Sequence, residues 1–198
     1  SGDKYLLRFA TSPERYVLSV ERVVLGGRIL RYDTGVTALR VSVWGGMTLY
    51  TADAPGGVPA TRVGDAADPA RPTVSRNDLA AALNDEESHL AYAEKLHLRF
   101  STTSKVLAAG EDSRGLAFDA LVSAGAGIER LLASPGGRQA LGGKFNAVRL
   151  VESDKPGVSV AGKTLMVGFA PAGGVAGHAS SRAVAMELGK LLQVAKAG

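Results

Sequence analysis

Residues 161–192 read AGKTLMVGFAPAGGVAGHASSRAVAMELGKLL, and the fold is read outward from this run. Its pattern predicts a strand over Lys163–Phe169, a glycine-rich loop over Pro171–Gly177 and a closing helix from about Ala179. Leu165 and Val167 supply the apolar alternation of the strand, and the glycines let the backbone turn sharply after Phe169. A strand, a glycine loop and a helix start make a ready anion site, because the first helical N–H groups lack intrahelical partners and the dipole favours negative charge. The candidate anion-binding residues are therefore Gly173, Gly174, Gly177, His178, Ser180, Ser181 and Arg182. Ser180 or Ser181 should cap the helix, with its N-terminus reachable from solvent. Arg182 opposes the dipole there, so it should point outward or pair with an acid or anion.

Two familiar nucleotide signatures fail at this loop. Ala172–Gly177 spells A-x-G-x-x-G, but no second strand and ribose-binding acid follow, so a Rossmann unit is rejected. A phosphate loop of the ATPase type would need Gly-Lys-Ser or Gly-Lys-Thr, which does not follow either.

Upstream, Phe145 to Glu152 reads as a strand, Pro156-Gly157 as a turn, and Val158 to Val160 as a short strand before the hairpin turn at Ala161-Gly162. The N-terminal part reads the same way. Tyr5–Phe9 and Arg15–Val20 are short apolar runs, Arg15–Val20 and Val36–Trp44 alternate apolar and polar residues, and Arg28–Tyr32 and Met47–Thr51 complete the set, separated by Thr11-Ser12-Pro13, Gly26-Gly27, Asp33-Thr34-Gly35 and Gly45-Gly46. Turn signals at this spacing predict an antiparallel meander. Residues 52–76, holding Pro55, Pro59, Pro69 and Pro72, read as an internal Pro/Gly-rich loop or linker, with a short edge strand within Val58–Val63.

Two helices occupy the middle. Ser75 with Asp78 is an S-x-x-D start signal, and Leu79, Leu83, Leu90 and Ala93 recur at helical spacing in a run taken to about Phe100. A second helix fits Ser113–Ser134, with Ala117, Leu121, Ala124, Ile128 and Leu131 on one face. Gly125 and Gly127 weaken that helix but let a neighbour come close. The whole, 1–198, is expected to be a single α+β domain: an antiparallel sheet from the N- and C-terminal segments, shared by residues 5–51 and 145–169, packed against two central helices and one C-terminal helix. One sheet is expected because few strands alone bury too little to be stable.

The composition excludes several classes. With no cysteine, disulfides, thiolate nucleophiles and Cys-built zinc sites are out. No apolar run approaches the ~20 residues that span a bilayer. The net charge of +4 is uneven: residues 137–198 carry 8 basic against 3 acidic groups, while 73–136 carry 6 against 9. An anionic partner is one reading of the basic third; a basic sheet beside an acidic helical layer is the plainer one.

Candidate chemistry is sparse. Glu86-x-x-His89 and Glu94-x-x-His97 match a carboxylate-bridged metal spacing, but such sites need the motifs on different helices. Both lie on one predicted helix, about 12 Å apart along its axis, so no metal site is expected. Serines are plentiful, yet no G-x-S-x-G elbow occurs and nothing pairs His178 with an acid. No catalytic residue and no cofactor is assigned. Arg22, Arg28, Arg31 and Arg40 with Tyr16, Tyr32 and Trp44 suggest a nucleic-acid stripe, but a solvated outer face explains them better, so nucleic acid is disfavoured as a partner.

Three stretches carry a resemblance. They are Leu7-Arg8-Phe9 with Ser12-Pro13-Glu14-Arg15-Tyr16-Val17-Leu18; Gly46-Met47-Thr48-Leu49-Tyr50-Thr51 with Pro55-Gly56-Gly57; and Gly162-Lys163-Thr164-Leu165 with Gly177-His178-Ala179-Ser180-Ser181-Arg182-Ala183. On these the chain resembles an uncharacterised family of exported alphaproteobacterial proteins classed as a domain of unknown function. The resemblance implies a leader upstream of Ser1 and a periplasmic, secreted or cell-surface location; it carries no catalytic residue across. The expectation is a non-enzymatic exported binding or structural domain whose partner is a protein or an anionic ligand. The alternative is a small hydrolase or transferase acting on an anionic substrate at Gly173–Arg182.

Overall fold

The computed structural model describes residues 4–24, 26–64 and 72–194. The chain divides into two compact units, Ser1–Ala70 and Arg71–Gly198. The first is the meander. Strands β1 (Lys4–Arg8), β2 (Arg15–Arg22), β3 (Arg28–Arg31), β4 (Thr37–Val41), β5 (Met47–Leu49) and β6 (Val58–Ala60) lie in chain order in one six-stranded sheet, every neighbour antiparallel. β6 is the short edge strand foreseen within 58–63. The loop around it, 52–76, falls in part on residues 65–71, outside the described residues.

The turns explain the register. Val23 N–H donates to Gly27 O, Tyr32 N–H to Val36 O and Ser42 N–H to Gly46 O; Gly26, Gly35 and Gly45 each donate back to the residue three before. Each of those glycines has φ between 81° and 88°. This is the three-residue hairpin loop that needs a left-handed third residue, and glycine takes that conformation without a Cβ penalty. The alternation then puts Tyr16, Leu18, Leu30, Tyr32 and Ala38 into one small core. The Tyr16 ring meets Tyr32 edge-on at 5.2 Å and Phe9 at 6.0 Å. Tyr16 and Tyr32 are therefore core residues, and the imagined stacking stripe loses both of its tyrosines.

The second unit is built around one long helix. Its elements are α1 (Arg76–Ala93), β7 (Arg99–Thr102), α2 (Ser104–Ala108), α3 (Glu111–Leu132), α4 (Gly137–Leu141), β8 (Ala147–Glu152), β9 (Gly157–Ala161), β10 (Thr164–Phe169), a 3-10 segment Pro171–Ala176 and α5 (Ser181–Leu191). The sheet order is β7-β8-β10-β9, with β7, β8 and β10 parallel and β9 antiparallel to β10. The α+β class stands, but the single shared antiparallel sheet does not: residues 5–51 and 145–169 lie in two different sheets. Each sheet finds its stability separately, the first by reaching six strands and the second by covering one face with helices.

α3 runs through the core of this unit, with Leu116, Ala117, Ala120, Leu121, Ala124 and Ile128 buried. The close approach expected at its glycines is present. A Cβ on Gly127 would stand 2.6 Å from Val184 of α5 and 3.1 Å from the Ser181 carbonyl oxygen, and the space at Gly125 is taken by the Glu86 carboxylate. α1 starts as foreseen, with a full capping box between Ser75 and Asp78. The Ser75 contacts hold the Asp78 carboxyl below its ordinary value.

The end of α1 differs from expectation. It stops at Ala93, where Glu94 N–H and Leu96 N–H both donate to Leu90 O and Lys95 takes φ 55°. The left-handed position just past a helix end normally carries glycine. Here lysine holds it, so the stop signal was missing, and Arg99–Thr102 forms a strand rather than the last turn of a helix.

Candidate functional site

The loop that organises the sequence closes a packed corner. Pro171–Ala176 makes two 3-10 turns joined at Gly174 (φ 60°), and Ala170 N–H donates to Gly177 O at 2.7 Å. A Cβ on Gly177 would stand 2.7 Å from Leu116 of α3. Ser180 is the cap of α5, accepting from Ala183 N–H at 3.2 Å, as expected. Ser181 is fully buried, and its hydroxyl accepts from Arg130 Nε at 2.8 Å. His178, Ala179 and Ser180 are buried too, and His178, Ser180, Ser181 and Arg182 all have interaction partners. The seven candidate residues do lie in one corner, but the helix start is buried rather than reachable from solvent.

At the C-terminal ends of the parallel strands, Glu152 accepts from Lys105 Nζ at 2.6 Å and from the Ser113 hydroxyl at 3.2 Å. The lysine contact holds the Glu152 carboxyl below its ordinary value and holds the Lys105 ammonium above its own. The cluster ties α2, α3 and β8 together.

The two E-x-x-H motifs take separate partners. His89 Nε2 lies 2.7 Å from Glu129 Oε1 of α3, which raises the imidazole above its ordinary value. Glu86 lies beside the pair, pushed up chiefly by burial. Glu94 instead accepts from Arg138, and His97 lies beyond the end of α1. Among the described residues, no three metal-type side chains group to hold an ion.

The His89 cluster sets a pH dependence with a definite sign. A folded imidazole that keeps its proton longer contributes fully below the ordinary value of 6.5, and that contribution is lost as pH rises through the raised folded value. Glu86, raised from 4.5, acts in the same direction. The His89 side chain is 52% exposed, so screening limits its part to about 0.2–1 kcal/mol. Urea midpoints measured on both sides of the His89 titration should fall with pH in the wild type and fall less in His89→Gln. Equal slopes would remove the pair from the account.

A cleft of about 460 Å³ opens beside the edge strand β7, lined by Glu87, Ser88 and Ala91 of α1, His97 and Leu98 of the turn, Arg99 of β7, and Asn146 and Ala147 at the start of β8. Glu87 Oε2 accepts the outward Phe100 N–H at 3.2 Å, which blunts the open edge. Among the described residues, nothing engages the side chains of Ser88, His97, Arg99 or Asn146. This contrasts with Arg76, Arg114, Arg130 and Arg138, which each donate to a protein oxygen. The sequence reading missed this site because it ran α1 through to Phe100. The signal was present: Leu96, Leu98 and Phe100 alternate with His97 and Arg99, a period of two.

A family model described as a domain of unknown function (DUF4908) matches residues 1–188. No curated protein matches the chain, and no solved structure does.

Proposed function

We propose, from the premise that the chain belongs to the family of the domain of unknown function DUF4908, that it is a non-enzymatic binding domain holding a small organic anion in the cleft beside β7. One observation carries this: Arg99 presents an unengaged guanidinium in a concave site of about 460 Å³, next to His97, Asn146 and Ser88. That volume lies in the range of small-molecule sites, and a guanidinium fork matches a carboxylate or phosphate in two parallel hydrogen bonds. Ala91, Leu98 and Ala147 would meet the apolar body of the ligand.

The same lining argues for binding over turnover. Glu87 and Ser88 are sequence neighbours on a helix and do not face each other. Glu87 is committed to the Phe100 N–H, so it does not orient His97 as a general base would require. An exported location, periplasmic or at the cell surface, is part of the proposal. It is supported by the family resemblance and tested by fractionating cells that express the native gene.

The binding test is a thermal-shift and calorimetric panel of carboxylates, phosphates and neutral sugars against the full chain. An acid should bind, and Arg99→Glu should weaken it by at least about tenfold while the melting temperature without ligand stays put. No shift with any anion, or binding unaffected in Arg99→Glu, overturns the reading. Turnover of an ester, phosphate or cell-wall fragment in the same panel would favour the enzymatic alternative at Gly173–Arg182.

A further inference from the structure

In an antiparallel meander, alternate turns share an end of the sheet, so the β2–β3 and β4–β5 turns lie together. The structure brings them close: a Cβ on Gly26 would stand 3.8 Å from Val43 Cγ2. Turn tips are normally built from small polar residues. The β3–β4 turn at the other end obeys this, with Asp33 and Thr34 at its apex. The two neighbouring tips do not. They present Val24, 90% exposed, Val43, 54% exposed, and Trp44, 94% exposed.

The shoulders below these tips are basic. Arg22 ends β2, Arg28 begins β3 and Arg40 lies one residue before the end of β4, and all three are exposed. Among the described residues, the acid beside them, Glu21, is paired with Arg31 at 2.6 Å; Arg22 has a partner of its own, and Arg28 donates to the neutral Tyr5 hydroxyl at 3.1 Å, which leaves its charge in place. Apolar apices, a tryptophan and a cationic collar form a projecting surface, not a groove. We propose that this end of the first unit docks on an anionic lipid bilayer, with Trp44, Val43 and Val24 entering the headgroup–acyl boundary and the three arginines facing the lipid phosphates. Tryptophan favours that boundary, and basic residues are drawn to anionic headgroups. Three apolar side chains are few, so the attachment is reversible. It needs no spanning segment; no helix among the described residues is long and apolar enough to cross a membrane.

The chain carries a single tryptophan, and it is Trp44. Its emission therefore reports this tip alone. The full chain is mixed with phosphatidylcholine vesicles, with or without phosphatidylglycerol, and followed by emission and by flotation. A blue shift and co-flotation with the anionic vesicles, both reduced by salt, are expected. The double variant Val24→Asp, Val43→Asp keeps the reporter and should lose at least about tenfold in lipid partition. Trp44→Ser, read by flotation, should lose a similar amount. No shift and no flotation overturn the proposal. So does a shift that persists in the double variant, or one that grows with protein concentration in lipid-free buffer, which would place a second copy on the patch.

Discussion

Gly127→Leu is expected to destabilise the chain by about 3 kcal/mol or more, the upper range for forcing atoms into a packed interior. α3 and α5 meet at this glycine. A Cβ there would stand 2.6 Å from Val184 Cβ and 3.1 Å from the Ser181 carbonyl oxygen. Val184 is fully buried and cannot swing away, and the carbonyl belongs to the first turn of α5. Relief therefore requires the whole helix to move, which would also strain the Arg130–Ser181 hydrogen bond. Leucine gains up to about 1 kcal/mol of helix propensity over glycine, so the clash must outweigh that gain. Gly189→Ala is the matched control. It lies in α5 with Leu131 Cδ1 4.0 Å from the new Cβ, an ordinary contact. It should be neutral or stabilising by up to about 1 kcal/mol. Chemical denaturation of both variants decides the matter, and equal midpoints would show that the α3–α5 contact yields easily.

Tyr16→Ala should cost about 3–5 kcal/mol in the first unit, the range for deleting a buried aromatic ring. Tyr16 is 2% exposed and sits at the centre of an edge-to-face series from Phe9 to Tyr32. Such ring pairs add about 0.5–1.5 kcal/mol beyond their burial. Among the described residues, the core around it has five buried members. A unit below about 70–80 residues rarely has more than 3–5 kcal/mol to lose, so the change is enough to unfold it. Proteolysis should then cut readily within residues 4–64, while Tyr16→Phe, which keeps the ring, should leave them resistant. Resistance in the alanine variant would mean that the meander draws its stability from elsewhere.

The sequence showed what is local. The turn glycines 26, 35 and 45 named their hairpins, because only a left-handed residue closes those loops. Ser75 with Asp78 and Ser180 named two helix starts through the same hydroxyl-to-backbone bond. What it could not show is which strands pair. Leu150 and Leu165 have the same apolar character as Leu18 and Leu30, and nothing in that character says that β8 pairs in parallel with β10. Nor did Ser181 reveal its burial, since its partner Arg130 lies 51 residues away. The cleft was hidden for the same reason, because its lining comes from residues 87–91, 97–99 and 146–147. There one lysine in a glycine's conformation, Lys95, masked the end of a helix and hence the strand that frames the site.

The order β7-β8-β10-β9 also constrains how this sheet can assemble during synthesis. β10 is the last strand of its sheet to be translated, yet it stands between β8 and β9. β9 and β10 are joined by a two-residue turn and emerge together as a hairpin, so it is β8 that waits with one edge open until residues 164–169 leave the ribosome. The meander has no such wait, because each of its strands pairs with the one made just before it. Neighbour-by-neighbour pairing closes short loops and folds fast; a parallel sheet that spans residues 99 to 169 must close long ones. During that interval the β10-facing edge of β8 is open to any other nascent chain, the kind of exposure that chaperones act on.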